Sequence, residues 1–380
     1  MIKLAHPIIE DEERRAVLEA LESGQLAQGP RVAAFEAAFA AYTGAKHAVA
    51  VNSGTAALHL SLLAHRIGDA PPGTRAESPR YEAAGAGADE VIVPAFSFAA
   101  TANTVLLAGA RPVFVDVRED DFGVDAAQVE AAIGERTRAI VAVHLYGQMC
   151  DIDAVAAICA RRGLVLIEDA AQAIGASSAG RPAGSFGTAA FSFYATKNLQ
   201  TGEGGMITTG DDAVAAAMRM LRSQGERTRY VTEEAGYNYR MTEVAAALGL
   251  AQLPKLEERN ERRRVNAARL TELLSGCARI ITPRELAGRR HVWHQYTLRV
   301  PAGREARDAL QVALRARVIE TGVFYPTPIH RQPLYRRLGY REVSLPVAER
   351  LADEVVSVPV HPALSAEQVE QVARAVLDSV

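Results

Sequence analysis

Only four of the chain's 42 basic residues are lysine, namely Lys3, Lys46, Lys197 and Lys255. Chemistry that needs a nucleophilic amine therefore has few candidates, because a guanidinium stays protonated at any ordinary pH. Lys3 is terminal, Lys46 sits in a turn before a strand, and Lys255 heads a charged helix. Lys197 alone follows an apolar strand and precedes a glycine-rich turn, in FSFYATKNLQTGEGG. An amine placed there can join a carbonyl and carry a proton.

Three other segments bring useful groups to strand ends, where open α/β sheets bind ligands. Asp169 closes the apolar run LVLIED. A carboxylate at that point is costly unless something pairs with it. A protonated ring nitrogen would do so, and capping of the next turn is the other role open to it. In VNSGTAAL a strand ends, Gly54 permits close approach, and a helix starts at Thr55. Free amides and the helix dipole favour a phosphate there, although Ser and Thr at helix starts also act as ordinary caps. In PAFSFAAT an aromatic just past a strand end can stack on a planar ring or pack in the core. Taken together, a phosphate cradle, a strand-end acid, a single lysine and an aromatic are what pyridoxal phosphate (PLP) requires. Its protonated ring is an electron sink.

The elements that must position these groups follow from hydrophobic patterning. Apolar runs predict strands over 48–52, 91–94, 113–117, 139–145, 165–169, 190–194 and 205–209. Helical stretches fall between most of them, over 55–64, 99–108, 126–133 and 153–160. Continuous apolar strands alternating with helices predict a mainly parallel sheet covered on both faces. No helix separates the last two strands, which predicts an antiparallel part. Further helices are expected over 10–23, 31–42, 255–274, 304–315 and 365–377, and a strand over 291–300. The length of 380 residues favours two domains. The expected division is an N-terminal segment 1–25 packing with the small domain, a large α/β domain 26–254, and a small α+β domain 255–380. Residues 69–90, rich in Ala, Gly and Pro, are expected to form a surface insertion.

Composition narrows the function. A formal net charge of -3 gives no global attraction to nucleic acid or anionic membrane. Cys150, Cys159 and Cys277 are odd in number and widely spaced, with no Cys/His ligand pattern. Reduced thiols in a cytoplasmic protein, without a metal site, are expected. Residues 91–110 carry no charge, but Pro94, Asn103 and three hydroxyl residues make a strand, turn and helix the better reading than a membrane span.

The specific pieces are QGPRVAAFEAAFAAYTGAKHAVAVNSGTAALHLSL, VIVPAFSFAATANTVLLAGARPVFVDV, HLYGQMCDIDAV, IEDAAQAIGA, FSFYATKNLQTGEGGMITT, YNYRMTEVAAALGLAQL and YPTPIH. Through them the chain resembles the fold-type I PLP-dependent nucleotide-sugar aminotransferases over nearly its whole length. The resemblance implies that Lys197 is the Schiff-base lysine and that Asp169 pairs with the pyridine nitrogen. It places Gln172 near the ring hydroxyl, and Ser192 with Gly54 and Thr55 on the phosphate. Phe98 matches the stacking position. Asn238 would reach the phosphate from the other subunit of a homodimer with shared active sites. Tyr325 and His330 would lie near the substrate. Ala195 stands where many members have proline, and the 69–90 segment is longer than the family's usual turn. The implied reaction moves an amino group from an amino acid, glutamate, to a keto sugar on a nucleoside diphosphate, through PLP and pyridoxamine phosphate. Two other readings share the fold. One is a pyridoxamine-dependent sugar dehydratase, whose members carry histidine at the Lys197 position. The other is a non-catalytic regulatory protein.

Overall fold

The computed structural model describes residues 1–68 and 87–380. The expected insertion at 69–90 therefore lies, for residues 69–86, outside the described residues. A seven-stranded sheet organises the chain: β1 (His47–Val51), β2 (Glu90–Pro94), β3 (Arg111–Val115), β4 (Thr137–Val143), β5 (Val165–Asp169), β6 (Thr188–Ser192) and β7 (Gly205–Thr209). Their order across the sheet is β1-β7-β6-β5-β4-β2-β3. The pairs β2/β3, β2/β4, β4/β5 and β5/β6 are parallel. β7 runs antiparallel to both of its neighbours, β1 and β6. The short link after β6 allows this, since a parallel return would need a crossover.

Successive residues of a strand face opposite ways, and both faces here are covered. Val49, Val51, Val91, Val93, Val141 and Ile167 enter one apolar cluster. Their neighbours Ala48, Ala50, Ile92, Ile140, Ala142 and Leu166 enter a second. Burial on both sides is why these strands read as unbroken apolar runs.

The helices of this part are α1 (Asp11–Glu22), α2 (Pro30–Thr43), α3 (Gly54–Ala64), α4 (Ala100–Ala108), α5 (Ala126–Ala132), α6 (Ile152–Arg162), α7 (Asp212–Arg222) and α8 (Glu243–Gln252). α3 is buried from Ala56 to Ala64 on all sides, between the sheet and its neighbours α4 and α7. The uncharged run 91–110 divides into β2, an irregular link and α4. Among the described residues no helix is long and apolar enough to cross a membrane.

Beyond the long helix α9 (Leu256–Leu274) come β8 (Tyr296–Arg299), α10 (Arg304–Ala316), α11 (Pro333–Arg337), α12 (Pro346–Glu354), β9 (Val355–Val358) and α13 (Ala366–Leu377). β8 and β9 pair antiparallel. A third core joins Leu270, Leu274, Tyr296, Leu298, Leu314, Val356, Val372 and Val376 with Ile2. The strand expected over 291–300 shortens to β8 because its first part bonds elsewhere. The Val292 amide donates to the Gly147 carbonyl and the Gln295 amide to that of Tyr146. Ile329, Tyr335, Tyr340 and Leu351 pack into the first cluster, alongside the sheet. The N-terminal segment also divides. Ile2 bridges to Ile319, whereas α1 lies against α8.

Candidate active site

β5 ends in Glu168 and Asp169, and the alternation of a strand sends them to opposite faces. Glu168 is fully buried. It accepts hydrogen bonds from His144 Nε2 at 3.1 Å and from the amides of Gly184, Phe186 and Gly187 at 2.9, 2.8 and 3.0 Å. Burial alone would raise its pKa, but these donors more than offset that and hold it below the ordinary value. Glu168 thus fixes the turn that leads into β6. Asp169 is buried as well. Its Oδ2 accepts from Thr101 Oγ1 on α4 at 2.8 Å, and its Oδ1 accepts from the Ala171 amide at 3.3 Å. Burial pushes its pKa up, and the Thr101 bond opposes the shift.

Lys197 follows β6 in a tight turn whose amide donates to the Tyr194 carbonyl at 2.8 Å. Its amine loses hydration in the cavity. That brings its pKa down to about 8, even though the charge of Asp169 favours the ammonium. At neutral pH a much larger fraction is neutral, and so nucleophilic, than for an ordinary lysine near 10.4. Covalent capture of PLP by Lys197 is expected to rise about tenfold per pH unit and to level off near pH 8. A rate that continues to climb toward pH 10, followed by absorbance, would mean that the amine is not desolvated.

At the β1–α3 junction Ser53 caps the helix by accepting from the Ala56 amide at 3.0 Å. The amides of Gly54 and Thr55 begin the helix, where no helical partner exists. Gly54 is required by close packing, since a Cβ there would lie 2.7 Å from Ser192 Cβ and 3.1 Å from its Oγ. Gly54→Ala is expected to force these segments apart at a cost of about 1–3 kcal/mol. PLP affinity would then weaken by roughly five- to 150-fold, as equilibrium titration would show.

These groups share one cavity of about 580 Å³, bordered by Gly54, Thr55, Phe98, Asp169, Gln172, Ser192, Lys197 and Tyr325. Gln172 is fixed at both ends of its amide. Its Oε1 accepts from the Tyr146 amide at 2.8 Å, and its Nε2 donates to Tyr325 Oη at 3.2 Å. The half-exposed ring of Phe98 lies 5.8 Å from that of Tyr325.

Two expected residues are not brought to this cavity within the chain. Asn238 is exposed, and its carbonyl accepts from Asn52 Nδ2 at 3.3 Å. His330, expected near the substrate, is wholly buried and does not border this cavity. The Ile329 amide bonds the Ala95 carbonyl at 2.8 Å, which draws this turn against the core. His330 Nε2 there meets Glu349 Oε1 at 3.1 Å. Conversely, His144, His294, Glu203 and the N-terminal residues Leu4 and Ala5 border the cavity without having been singled out in the sequence. The adjacent acids of β5 and the histidine that opens HLYGQMCDIDAV were the available signals for the His144–Glu168 pair.

The residues fit PLP. A backbone-and-hydroxyl cradle too tight for one added carbon suits a phosphate, a buried carboxylate suits a ring N–H, and an amine of lowered pKa suits the aldehyde.

Comparison with known proteins agrees. The description of a single family, "DegT/DnrJ/EryC1/StrS aminotransferase family", matches residues 7–377. A protein of Geobacillus stearothermophilus named pleiotropic regulatory protein is 44% identical, with 96% of this chain and 93% of that one aligned. GDP-perosamine synthase of Caulobacter vibrioides is 42% identical, over 100% and 98% of the two chains. The crystal structure of S. venezuelae DesV in complex with a ketimine intermediate superposes with a TM-score of 0.88 at 40% identity, covering 97% of this chain and 94% of that one. The chain belongs to the DegT/DnrJ/EryC1/StrS aminotransferase family, whose members depend on PLP.

Proposed function

We propose that this protein transfers an amino group from an amino acid, glutamate, to a keto sugar carried on a nucleoside diphosphate. The observation that carries the reading is the meeting of Lys197 and Asp169 in one cavity with the Gly54–Ser192 cradle. Support for the sugar comes from relatives, since a GDP-perosamine synthase aligns over the whole chain.

Each residue has a task that its surroundings permit. The α3 amides and Ser192 would hold the phosphate. The Asp169 carboxylate would keep a proton on the ring nitrogen, and Thr101 and the Ala171 amide fix its direction. Gln172, anchored by Tyr146 and Tyr325, would orient the ring hydroxyl. Bound PLP supplies a carbonyl that accepts an amino group and a ring that absorbs the electrons left when a C–H proton departs. Lys197 would take the proton from the donor's α-carbon. On the return half it would deliver one to the carbon of the sugar that receives nitrogen. Phe98 would stack on the ring, with Tyr325 beside it at 5.8 Å between ring centroids. Asn238, exposed in the single chain, would serve the site of a second copy, and a homodimer is part of the proposal.

Incubation with PLP, glutamate and a panel of nucleotide-linked keto sugars tests this by mass. Replacement of the carbonyl oxygen by an amine is expected, and loss of water instead would point to a dehydratase. A regulatory role is the second reading, favoured by the name of the relative at 44% identity. Salt-sensitive binding to duplex DNA, with no amine transfer to any sugar, would establish it.

A further inference from the structure

His294 borders the same cavity as Lys197 and is buried. A chain of hydrogen bonds fixes which of its ring nitrogens carries the hydrogen. The Ile174 carbonyl can only accept, so Asn260 places its Nδ2 there at 3.2 Å and leaves Oδ1 as an acceptor. Asn198 Nδ2 donates to that Oδ1 at 2.8 Å and to the Val292 carbonyl at 3.0 Å. Asn198 Oδ1 is therefore an acceptor, and His294 Nδ1, at 3.3 Å from it, must be the donor. A neutral imidazole has one N–H, which leaves Nε2 as a bare acceptor.

The backbone at this point is equally constrained. Trp293 adopts a left-handed conformation with φ +48°. The buried Arg263 of α9 donates to the carbonyls of Trp293 and His294 at 3.2 and 3.4 Å. Asn198 is the residue after Lys197, so one network ties the lysine turn, α9 and His294 together. Burial, followed by the charges of Lys197 and Arg263, keeps the imidazole neutral.

We propose that His294 is a positioning residue for the reaction, presenting Nε2 as the acceptor that holds the Lys197 amine while it carries a proton. This rests on the function proposed above and deepens it, because an amine that relays a proton needs a defined place for its protonated form. The other titratable groups on the cavity are His144, Asp169, Tyr194, Glu203 and Tyr325. Asp169 stabilises the same ammonium by charge. His294 adds direction without a second charge.

The test uses His294→Asn in the full-length protein. Asn Nδ2 can replace the Nδ1–H bond to Asn198 and so retain the network, while the Nε2 acceptor is lost. The pH midpoint of Lys197 is read by competitive acetylation with acetic anhydride in the cofactor-free protein, resolved by peptide mass. The midpoint is expected to fall by about one to two pH units, since the ammonium loses a hydrogen bond. An unchanged or raised midpoint overturns the proposal. An independent measurement needs no variant. Nitrogen NMR of ¹⁵N-histidine-labelled wild type is expected to show His294 protonated on Nδ1 and bare on Nε2, and the opposite tautomer overturns it. Failure of the wild type to capture PLP through Lys197 would instead remove the underlying reading.

Discussion

Lys197→Ala is expected to lower amine transfer by roughly 10²–10⁴-fold from lost proton transfer alone, and further because the covalent attachment is gone. No other residue can substitute. Lys3, Lys46 and Lys255 are absent from the cavity, and Lys46 and Lys255 are engaged in ion pairs with Asp212 and with Glu10, Glu12 and Glu13. The variant should still bind PLP through the Gly54–Ser192 cradle and Asp169. It should lack the absorbance change that accompanies reaction with an ε-amine. Because Lys197 makes no ion pair among the described residues, the fold should survive, and thermal unfolding should show a small shift. Full amine transfer by the purified variant would sink the assignment.

Asp169→Asn carries the second large effect. The amide keeps the shape and can still accept from Thr101, whose hydroxyl is free to rotate. It cannot hold a proton on a ring nitrogen. Removing one partner of a buried pair costs about 3–5 kcal/mol, which corresponds to a loss of roughly 10²–10⁴-fold in rate. The loss should fall on kcat in both half-reactions, since the ring is the electron sink in each. The wild type provides a check of sign. Burial raises the Asp169 pKa, so the carboxylate is more easily protonated than an ordinary aspartate. In the cofactor-free protein, equilibrium binding of PLP should therefore weaken on the acid side at a higher pH than an exposed aspartate would give, and the variant should lack that dependence. Equal rates for the variant and the wild type would remove Asp169 from the mechanism.

The chemistry was readable from the sequence because it depends on residue type at strand ends. Lys197, Asp169, Gln172, Ser192, Gly54 and Phe98 each stand within a few residues of an apolar run. Strand and helix periods are local properties, so all seven strands of the sheet were expected to within a few positions. Gly205–Thr209 and Val165–Asp169 match in full. α7 was not anticipated, although Asp211 announces it by accepting from the amides of Ala213 and Val214. A lone cap is weak evidence without a periodic run to follow.

Facing and pairing across long separations were beyond local reading. YPTPIH puts Tyr325 and His330 five residues apart, yet only Tyr325 borders the cavity. The Ile329–Ala95 bond, which joins residues remote in sequence, decides this. Glu168 and Asp169 look alike in the sequence. The sheet gives one to His144 and three amides, and the other to the ligand side. His294 lies almost a hundred residues beyond Lys197, and its tautomer depends on Asn198, Asn260 and Ile174 together. Periodicity and residue chemistry thus determined which groups could react and on which elements they ride. The packed chain decided which of them meet, because desolvation and hydrogen-bond direction exist only once distant segments have closed around one another.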